Sequence, residues 1–508
     1  LANANAFTEK NLKMAGWETN PLEDGSLEGY TVFSIEMSKL VGKALENSDL
    51  TSKGIERTKN MFALGVLFWM YNRPVEPTED WLRKKFANNP SVAEANITAM
   101  KTGFNYGETT EIFTTSYAVE KANLPKGKYR NITGNVAVAY GLVAAAKKAG
   151  KELFLGSYPI TPASEILHTL STLRNYGVKT FQAEDEIAGI SSAIGASYAG
   201  DLAVTTTSGP GMALKTEAIG LAIITELPLV IVNVQRGGPS TGMPTKMEQS
   251  DLLQAVLGRN SDARIPVLAA KDPADCFDCA FEAARIAMKY MTPVILLSDG
   301  YLGQGSGPWQ IPDPKTLPEI VVNHPSSSDG GEDGFMPYAR DENETRPWAI
   351  PGTPGLEHRI GGLEKENITG MVSQDPENHQ LMTDIRARKV DNIKQDIPPS
   401  EIHGEPKGKL LVLGWGSTHG VIHVAVDRAL AKGQSVSQMH LRWVSPFPSD
   451  LKAICDGFDE ILIPEVNSGQ LALLLKGELV REIHQLNIVR GEPFRASEIE
   501  DKINEILG

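Results

Sequence analysis

The stretch LAVTTTSGPGMALKTEAIGLAIITELPLVIVNVQRGGPST, residues 202–241, decides the fold. It predicts an apolar strand, a loop with glycine and proline, an apolar helix, and a second apolar strand that ends in another glycine-rich loop. Both strands are apolar on both faces, which is typical of strands buried inside a parallel sheet. The same alternation continues on either side. It therefore predicts a doubly wound parallel sheet over residues 131–310.

The rest of the chain divides around this sheet. Residues 1–115 mix helical and strand patterns and predict a separate α/β domain, which a linker over residues 116–130 joins to the sheet. Residues 311–400 are rich in proline, glycine and serine. They predict an irregular insertion, whose aromatic and arginine content favours an ordered segment laid over another surface. Regular patterning returns in residues 401–508 and predicts a second, smaller α/β domain.

Composition and charge exclude several classes of protein. The chain has 508 residues, of which 41% are hydrophobic and 22% charged, as is ordinary for globular proteins. The net charge is −14, so the chain repels phosphate backbones and we expect no nucleic acid as its main partner. The longest apolar run, Met61–Tyr71, is far shorter than the roughly 20 residues of a membrane span, so we expect no membrane association.

Cysteine usage limits the redox chemistry of this chain. The 3 cysteines are too few for a disulfide framework or for the four thiolates of an iron–sulfur cluster. They fit a reducing cytosol, and the expected location is cytoplasmic. Cys276 and Cys279 form a C-x-x-C in an amphipathic helical pattern. Two small apolar helix residues are the favoured interpretation, while a metal or redox pair stays open. We expect no metal ion on this chain.

Three glycine-rich motifs come close to nucleotide or cofactor signatures without completing them. In GPGMALKT, Leu214 stands where a P-loop needs glycine before its lysine, although the tight loop can still offer N–H groups to an anion. GWGSTHG, residues 414–420, has one residue too many for a dinucleotide fingerprint. Ser298–Asp299–Gly300 with Asn323 is a poor copy of the signature that anchors thiamine diphosphate, and a turn at the end of a strand is favoured.

One motif carries a stronger signal, EDEIAGISSAIGASYAG over residues 184–200. Its two acids, Glu184 and Glu186, stand at a strand-to-helix junction, and the helix that follows is made almost entirely of alanine, glycine, serine and isoleucine. Small side chains let another helix or backbone approach closely, and a carboxylate in such an apolar contact has a raised pKa. The alternative is a carboxylate that the helix dipole favours at the N-terminus.

Four motifs, in this order, resemble the α subunit of 2-oxoacid:ferredoxin oxidoreductases, and within that family the 2-oxoglutarate type with a fused γ domain. They are YPITPASE (158–165), AEDEIAGISSAIGA (183–196), TTTSGPGMALKTEAIG (205–220) and QRGGPSTGMPTKMEQSDL (235–252). The resemblance covers nearly the whole chain, including the insertion. The family's γ domain opens with a glycine-rich strand and loop that this chain lacks, so we expect a truncated N-terminal domain.

The resemblance implies a fold and a reaction. Residues 1–115 are expected to be a γ-type domain, residues 131–310 a pyrimidine-binding domain for thiamine diphosphate, and residues 401–508 a transketolase-like domain. The family decarboxylates a 2-oxoacid oxidatively with coenzyme A and gives acyl-CoA, CO2 and two reduced ferredoxins. 2-Oxoglutarate is the expected substrate, with pyruvate and branched-chain acids open. A β subunit is expected to supply the diphosphate contacts, Mg²⁺ and a [4Fe–4S] cluster, in an (αβ)2 assembly.

The resemblance also assigns the catalytic acid. A carboxylate hydrogen-bonded to N1′ of the thiamine pyrimidine favours the tautomer that removes the C2 proton. Glu186 is preferred to Glu184 because it lies 9 residues before Gly195, the spacing seen in thiamine enzymes. Tyr158, Pro159 and Gly209 are the other residues expected to contact the cofactor.

The 2-oxoacid is an anion, so its site needs a cation and hydroxyl groups. Arg236 offers a planar fork that matches a carboxylate, and Thr161 and Thr245 lie in loops that follow strands. By resemblance these three contact the 2-oxoacid. The residues alone favour a surface arginine, a helix N-cap and a turn threonine. Asn467–Gly469 are candidates for coenzyme A contacts.

Two other functions stay open from the sequence. One is the pyrimidine-domain subunit of a lipoamide-linked 2-oxoacid dehydrogenase, against which the YPITP motif and the fused N-terminal domain argue. The other is a non-catalytic scaffold that binds acyl-CoA or a nucleotide through its glycine loops. It needs no cysteine-rich partner.

Overall fold

The computed structural model describes residues 1–110, 113, 115–331 and 334–508. The chain forms two compact units, Leu1–Lys126 and Gly127–Gly508. Each unit has its own hydrophobic core. No helix in the described part of the chain is both long and apolar enough to cross a membrane.

The first unit is mainly helical. Its strands within the described residues are one parallel pair of two residues each, so the α/β character expected of residues 1–115 rests on that pair alone. In chain order the elements are β1 (Ala2–Asn3), α1 (Glu9–Met14), β2 (Ser34–Ile35), α2 (Met37–Ala44), α3 (Ser52–Glu56), α4 (Lys59–Met70), α5 (Glu76–Lys85) and α6 (Pro90–Thr109).

Helices α4 and α6 cross with their backbones in contact. A Cβ atom added at Gly65 would lie 1.9 Å from the carbonyl oxygen of Met100, and one at Gly103 would lie 1.9 Å from that of Phe62. Only glycine permits this approach. The apolar run KNMFALGVLFWM forms α4, which contributes several residues to this unit's core.

The second unit begins with alternating strands and helices, as the sequence predicts. These are β3 (Tyr129–Thr133), α7 (Gly134–Lys148), β4 (Leu153–Ser157), α8 (Ser164–Ser171), β5 (Val178–Gln182), α9 (Glu186–Tyr198), β6 (Leu202–Thr207), α10 (Gly209–Leu214), α11 (Thr216–Thr225), β7 (Leu229–Gln235), α12 (Leu252–Leu257), β8 (Val267–Ala269), α13 (Asp275–Tyr290), β9 (Pro293–Asp299), α14 (Gly300–Gln304) and β10 (Ser306–Gln310). Strand β10 pairs with β3 in a two-stranded antiparallel sheet.

The remainder of the unit holds one long helix and a second sheet. Its elements are α15 (Pro376–Asn392), β11 (Ile402–His403), β12 (Gly408–Trp415), α16 (His419–Ala431), β13 (Val436–Leu441), β14 (Trp443–Ser445), α17 (Leu451–Cys455), β15 (Phe458–Glu465), α18 (Gln470–Leu479), β16 (His484–Asn487) and α19 (Ala496–Leu507). The second sheet has the order β11-β13-β12-β15-β16 and is parallel except for β11.

The main sheet has seven strands in the order β14-β8-β9-β7-β6-β4-β5. All neighbours are parallel except β14, which is antiparallel to β8. Alternate side chains of the buried strands β6, β7 and β9 enter two cores. One core includes α7, α8 and α13, and the other includes α9 and α11. The predicted doubly wound parallel sheet is thus confirmed.

Residues 311–400, expected to be irregular, contain the 17-residue helix α15. Its sequence PENHQLMTDIRARKVDN has only a narrow apolar stripe, Met382, Ile385 and Val390, so periodicity gives a weak helix signal. Met382 and Ile385 of this stripe pack on Tyr338, and ion pairs add to the packing. Lys389 on α15 and Arg340 both pair with the buried carboxylate of Glu226, and the Arg340–Glu226 contact is 2.5 Å. The described part of the insertion therefore contacts the main sheet domain.

Candidate active site

The expected site residues gather at one edge of the main sheet. Strands β7, β6, β4 and β5 are adjacent and parallel, so their carboxyl ends share that edge. Arg236, Gly209 and Thr161 lie in the segments that follow β7, β6 and β4, and Glu186 begins α9, the helix after β5. Ligands of α/β proteins bind at such an edge, outside the carboxyl ends of the strands.

Glu186 occupies the first position of α9. Asp185 caps the helix by accepting a 2.7 Å hydrogen bond from the N–H of Ala188. Glu186 is 9% exposed, whereas Glu184, the alternative acid, is exposed. Among the described residues, the carboxylate of Glu186 has no hydrogen bond or ion pair. Both oxygens are free to bind a ligand.

Helix α10 closes over the stem of Glu186. A Cβ atom added at Gly211 would lie 2.6 Å from Cγ of Glu186 and 2.1 Å from Oγ1 of Thr207. Glycine is therefore required at residue 211 for this packing. The packing restricts the rotamers of the Glu186 side chain.

Lys215 is a site residue that the sequence interpretation missed. Its side chain is fully buried, and Nζ donates a 2.6 Å hydrogen bond to the main-chain carbonyl oxygen of Glu186. Burial lowers the pKa of Lys215 to about 8, although the nearby carboxylates of Glu186 and Asp185 act in the opposite direction. Lys215 thus anchors the first turn of α9. The available signal was a lysine within the apolar run GPGMALKTEAIGLAIIT.

Arg236 is buried, which does not fit the alternative of a surface arginine. It is 5% exposed, and Nη1 donates a 2.7 Å hydrogen bond to the carbonyl oxygen of Thr161. Its Nε atom is buried and has no partner among the described residues. Ser250 fixes the backbone by donating a 3.1 Å hydrogen bond to the carbonyl oxygen of Arg236. The loops after β4 and β7 are joined by this arginine.

A second acid, Asp251, lies between strand β7, which carries Asn233, and the start of α10 at Gly209. Its Oδ2 accepts a 2.9 Å hydrogen bond from Asn233, and a Cβ atom added at Gly209 would lie 3.1 Å from its carboxylate oxygens. Burial raises the pKa of Asp251, although Asn233, Ser250 and Arg236 lower it. The sequence interpretation missed Asp251. The polar Asn233 in the apolar strand LVIVNVQ was its only indication.

The other residues predicted to contact the cofactor or the substrate are more exposed to solvent. The side chains of Thr161 and Thr245 are exposed, Tyr158 is 38% exposed, and Pro159 is half-buried. The loop that contains Thr245 is closed by a 3.0 Å hydrogen bond from the N–H of Gly237 to the carbonyl oxygen of Lys246. The structure joins Thr161 to Arg236 but gives no contact that joins Thr245 to either.

Other predicted motifs have structural explanations. The carboxylate of Asp299 accepts hydrogen bonds of 2.9 and 3.0 Å from the N–H groups of Tyr301 and Leu302 and caps α14, so a turn ends the strand, as expected. Cys276 and Cys279 are fully buried on α13, and burial raises the pKa of both thiols. This is typical of inert core cysteines.

Asn467, a candidate for coenzyme A contacts, already uses its whole amide. Its Oδ1 accepts hydrogen bonds of 2.8 and 3.0 Å from the N–H groups of Gly469 and Gln470. Its Nδ2 donates to the carbonyl oxygen of Gln249 at 2.9 Å and to the carboxylate of Glu465 at 3.0 Å. This amide holds the residues at the start of α18 and joins them to the loop after β7.

These residues fit the pyrimidine end of thiamine diphosphate. The fit rests on a buried carboxylate with free oxygens, Glu186, at an edge formed by strand ends and short loops. The described residues of this edge offer no cluster of metal-ligating groups for a diphosphate-bound Mg²⁺.

Profiles of three protein families match the chain. "Pyruvate ferredoxin/flavodoxin oxidoreductase" matches residues 6–106. "Pyruvate flavodoxin/ferredoxin oxidoreductase, thiamine diP-bdg" matches residues 144–375 and contains the site described above. "Pyruvate:ferredoxin oxidoreductase core domain II" matches residues 408–497.

Similar proteins carry related names. The 2-oxoglutarate oxidoreductase subunit KorA of Mycobacterium tuberculosis is 51% identical over 98% of this chain and 76% of its own length. The 2-oxoglutarate synthase subunit KorA of Archaeoglobus fulgidus is 36% identical over 67% of this chain and 88% of its own length.

A solved structure matches the whole fold. The 2-oxoglutarate:ferredoxin oxidoreductase from Magnetococcus marinus, with 2-oxoglutarate, coenzyme A and succinyl-CoA bound, has a TM-score of 0.87 and 32% identity. The match covers 100% of this chain and 87% of that chain. These similarities favour the ferredoxin-linked enzymes over the lipoamide-linked dehydrogenases and the non-catalytic scaffolds. The chain belongs to the 2-oxoacid:ferredoxin oxidoreductase family, as an α-type subunit.

Proposed function

We propose that this chain is the α subunit of a 2-oxoglutarate:ferredoxin oxidoreductase, which converts 2-oxoglutarate and coenzyme A to succinyl-CoA and CO2 and reduces ferredoxin. The observation that carries the proposal is the buried, unpaired carboxylate of Glu186 at the carboxyl edge of a sheet in the family's thiamine-binding region. The substrate rests on the relatives and the solved structure named for 2-oxoglutarate.

Thiamine diphosphate, when bound, supplies a carbon nucleophile that attacks the 2-oxoacid carbonyl. Glu186 would hold a proton between its carboxylate and the pyrimidine nitrogen N1′. Lys215 positions it, because the ammonium group fixes the first turn of α9 through the carbonyl oxygen of Glu186. Gly211 excludes water from the stem of the glutamate by close packing. We propose contacts to the cofactor by Tyr158, Pro159 and Gly209 as well.

The substrate carboxylate would bind Arg236. One guanidinium nitrogen is engaged by Thr161, while the buried Nε has no partner in the described part of the chain. An unpartnered N–H on a buried cation is costly unless a ligand pairs with it. The hydroxyls of Thr161 and Thr245 are exposed and available for further hydrogen bonds to the 2-oxoacid.

We propose that a β subunit completes the site. It would bring the diphosphate contacts, Mg²⁺ and a [4Fe–4S] cluster, form an (αβ)2 assembly and pass electrons to ferredoxin in the cytoplasm. The relatives are named as subunits, which supports a multi-subunit enzyme. The division into a γ-type domain at residues 1–115, a linker at 116–130, a pyrimidine domain at 131–310, an insertion at 311–400 and a C-terminal domain at 401–508 also stays a proposal.

Reconstitution with the β subunit tests the function. We expect ferredoxin reduction that requires both 2-oxoglutarate and coenzyme A, with pyruvate as the control substrate. The chain alone is expected to be colourless and inactive. Equal rates with pyruvate would overturn the choice of substrate, and reduction of lipoamide instead of ferredoxin would overturn the acceptor.

A further inference from the structure

A cluster of three metal-ligating groups lies in the C-terminal sheet domain, outside the residues used above. It consists of His403 on β11 and of His423 and Asp427, which are four residues apart on α16. Residues at this spacing lie on the same face of a helix. One ligand atom from each residue lies within 4.8 Å of the other two.

We propose that His403, His423 and Asp427 form a binding site for Zn²⁺. Two imidazoles and one carboxylate are a common protein ligand set for zinc. Nε2 of His403 is 2.6 Å from Oδ1 of Asp427, and Nε2 of His423 is 3.6 Å from Oδ2. Ligand atoms about 2.1 Å from one tetrahedral ion lie about 3.4 Å apart, so side-chain movements on the order of one ångström complete the site.

Hydrogen bonds behind His423 orient it for metal binding. Nδ1 of His423 lies 3.1 Å from Oε1 of Gln438, and Nε2 of Gln438 donates a 3.0 Å hydrogen bond to the carbonyl oxygen of His419. This bond sets the orientation of the amide, so its oxygen accepts from Nδ1–H of His423. The lone pair of His423 Nε2 then faces Asp427. Outer-sphere partners of this kind are usual behind metal-bound histidines.

The site adjoins a cavity of about 690 Å³, which His403 and His423 line together with His419 and His440. Both ring nitrogens of His440 are buried, with no hydrogen-bond partner in the described ranges. A water molecule in this cavity can fill the fourth position of a tetrahedral zinc ion. Because β11 is the edge strand of the second sheet, the ion would tie this edge to α16.

Zinc titration of the tag-free full chain, in competition with a chromophoric chelator, tests the proposal. We expect one zinc ion in the wild type and a more than 100-fold weaker affinity in His423→Ala. The matched control is His484→Ala, since His484 pairs with a single carboxylate, that of Glu460, at 2.9 Å. Its affinity should equal the wild-type value. Equal zinc affinity in wild type and His423→Ala overturns the proposal.

Two further measurements keep the test decisive. Gln438→Leu removes only the orienting bond and should weaken zinc binding 10–100-fold. X-ray absorption of the zinc-loaded chain should show nitrogen and oxygen neighbours at about 2.0–2.2 Å, whereas a sulfur neighbour at about 2.3 Å would place the ion at a cysteine and overturn the assignment. If His423→Ala does not fold, His403→Gln on the edge strand replaces it, with the same expected loss.

Discussion

Two buried glutamates lie at strand-to-helix junctions of this molecule and differ in how many hydrogen bonds their carboxylates accept. Glu465 ends β15, and its carboxylate accepts four hydrogen bonds, from Trp415 Nε1, Asn467 Nδ2 and two N–H groups of α18. Glu186 begins α9, and its carboxylate accepts none from the described residues. Burial alone therefore does not indicate function. A buried carboxylate with unused oxygens is the one available to a ligand.

Replacement of Glu186 is expected to have the largest effect. Glu186→Gln keeps the shape but removes the acid, so kcat/KM of the reconstituted enzyme should fall by about 10²–10⁴-fold, with unchanged thermal stability. Glu184→Gln is the matched control and should have little effect, because Glu184 is exposed. If Glu184→Gln lost activity and Glu186→Gln kept it, the catalytic acid would be Glu184, two residues before the one proposed.

Replacement of Arg236 tests whether a buried cation with an unpaired N–H also binds a ligand. Arg236→Ala should lower kcat/KM by about 30- to 3,000-fold, from an expected loss of roughly 2–5 kcal/mol, and Arg236→Lys should recover only part. Thiamine affinity should hardly change. Steady-state kinetics provide the measurement, and a value near wild type for Arg236→Ala would remove this residue from the site.

A third buried glutamate, Glu226, extends the comparison, because two positively charged side chains, Arg340 and Lys389, pair with its carboxylate. Burial raises its pKa, but the ammonium of Lys389 and the guanidinium of Arg340 outweigh burial and lower the pKa to about 2. The folded-state pKa lies below the unfolded value of about 4.5, so its stabilisation is present above pH 4.5 and is lost as the pH falls toward 2. Chemical denaturation between pH 7 and pH 3 should show a loss on the order of 2 kcal/mol from this group, because part of the stabilisation remains until the pH reaches 2.

A variant separates this loss from general acid denaturation. Glu226→Gln should be less stable than wild type at pH 7 because it leaves the ammonium of Lys389 buried without its counter-ion. The difference between the two proteins should shrink as the pH falls. A difference that is constant with pH would contradict the assignment.

Replacement of Glu465 is expected to lower stability without lowering activity, the reverse of the effect expected at Glu186. Glu465→Gln should lower the free energy of unfolding by about 1–3 kcal/mol, since its amide N–H2 faces an N–H donor of α18. Cofactor and substrate affinities should be unchanged below the melting temperature. Thermal unfolding measured beside steady-state kinetics distinguishes the two glutamates. Full stability with a large loss of kcat would mean that Glu465 serves a ligand after all.

The sequence predicted what depends on local pattern. Apolar runs such as LVIVNVQ gave the strands and their parallel arrangement, and the acidic start of an alanine- and glycine-rich helix pointed to Glu186. Lys215 and Asp251 were missed because their burial depends on which loops converge, which no periodicity encodes. Helix α15 was missed because most of its residues are polar and its buried apolar stripe is narrow, with ion pairs such as Lys389–Glu226 adding to the packing.

Strand β14 has a consequence for how the protein is made. It belongs by sequence to the C-terminal region but pairs with β8, with Trp443 opposite Leu268, and so forms the outer strand of the main sheet. Until residues 443–445 have left the ribosome, β8 is an open apolar sheet edge, and such edges recruit strands of other molecules. Chains that stop before Trp443 should therefore aggregate during expression. Translation to at least this residue is needed for the main sheet to be protected.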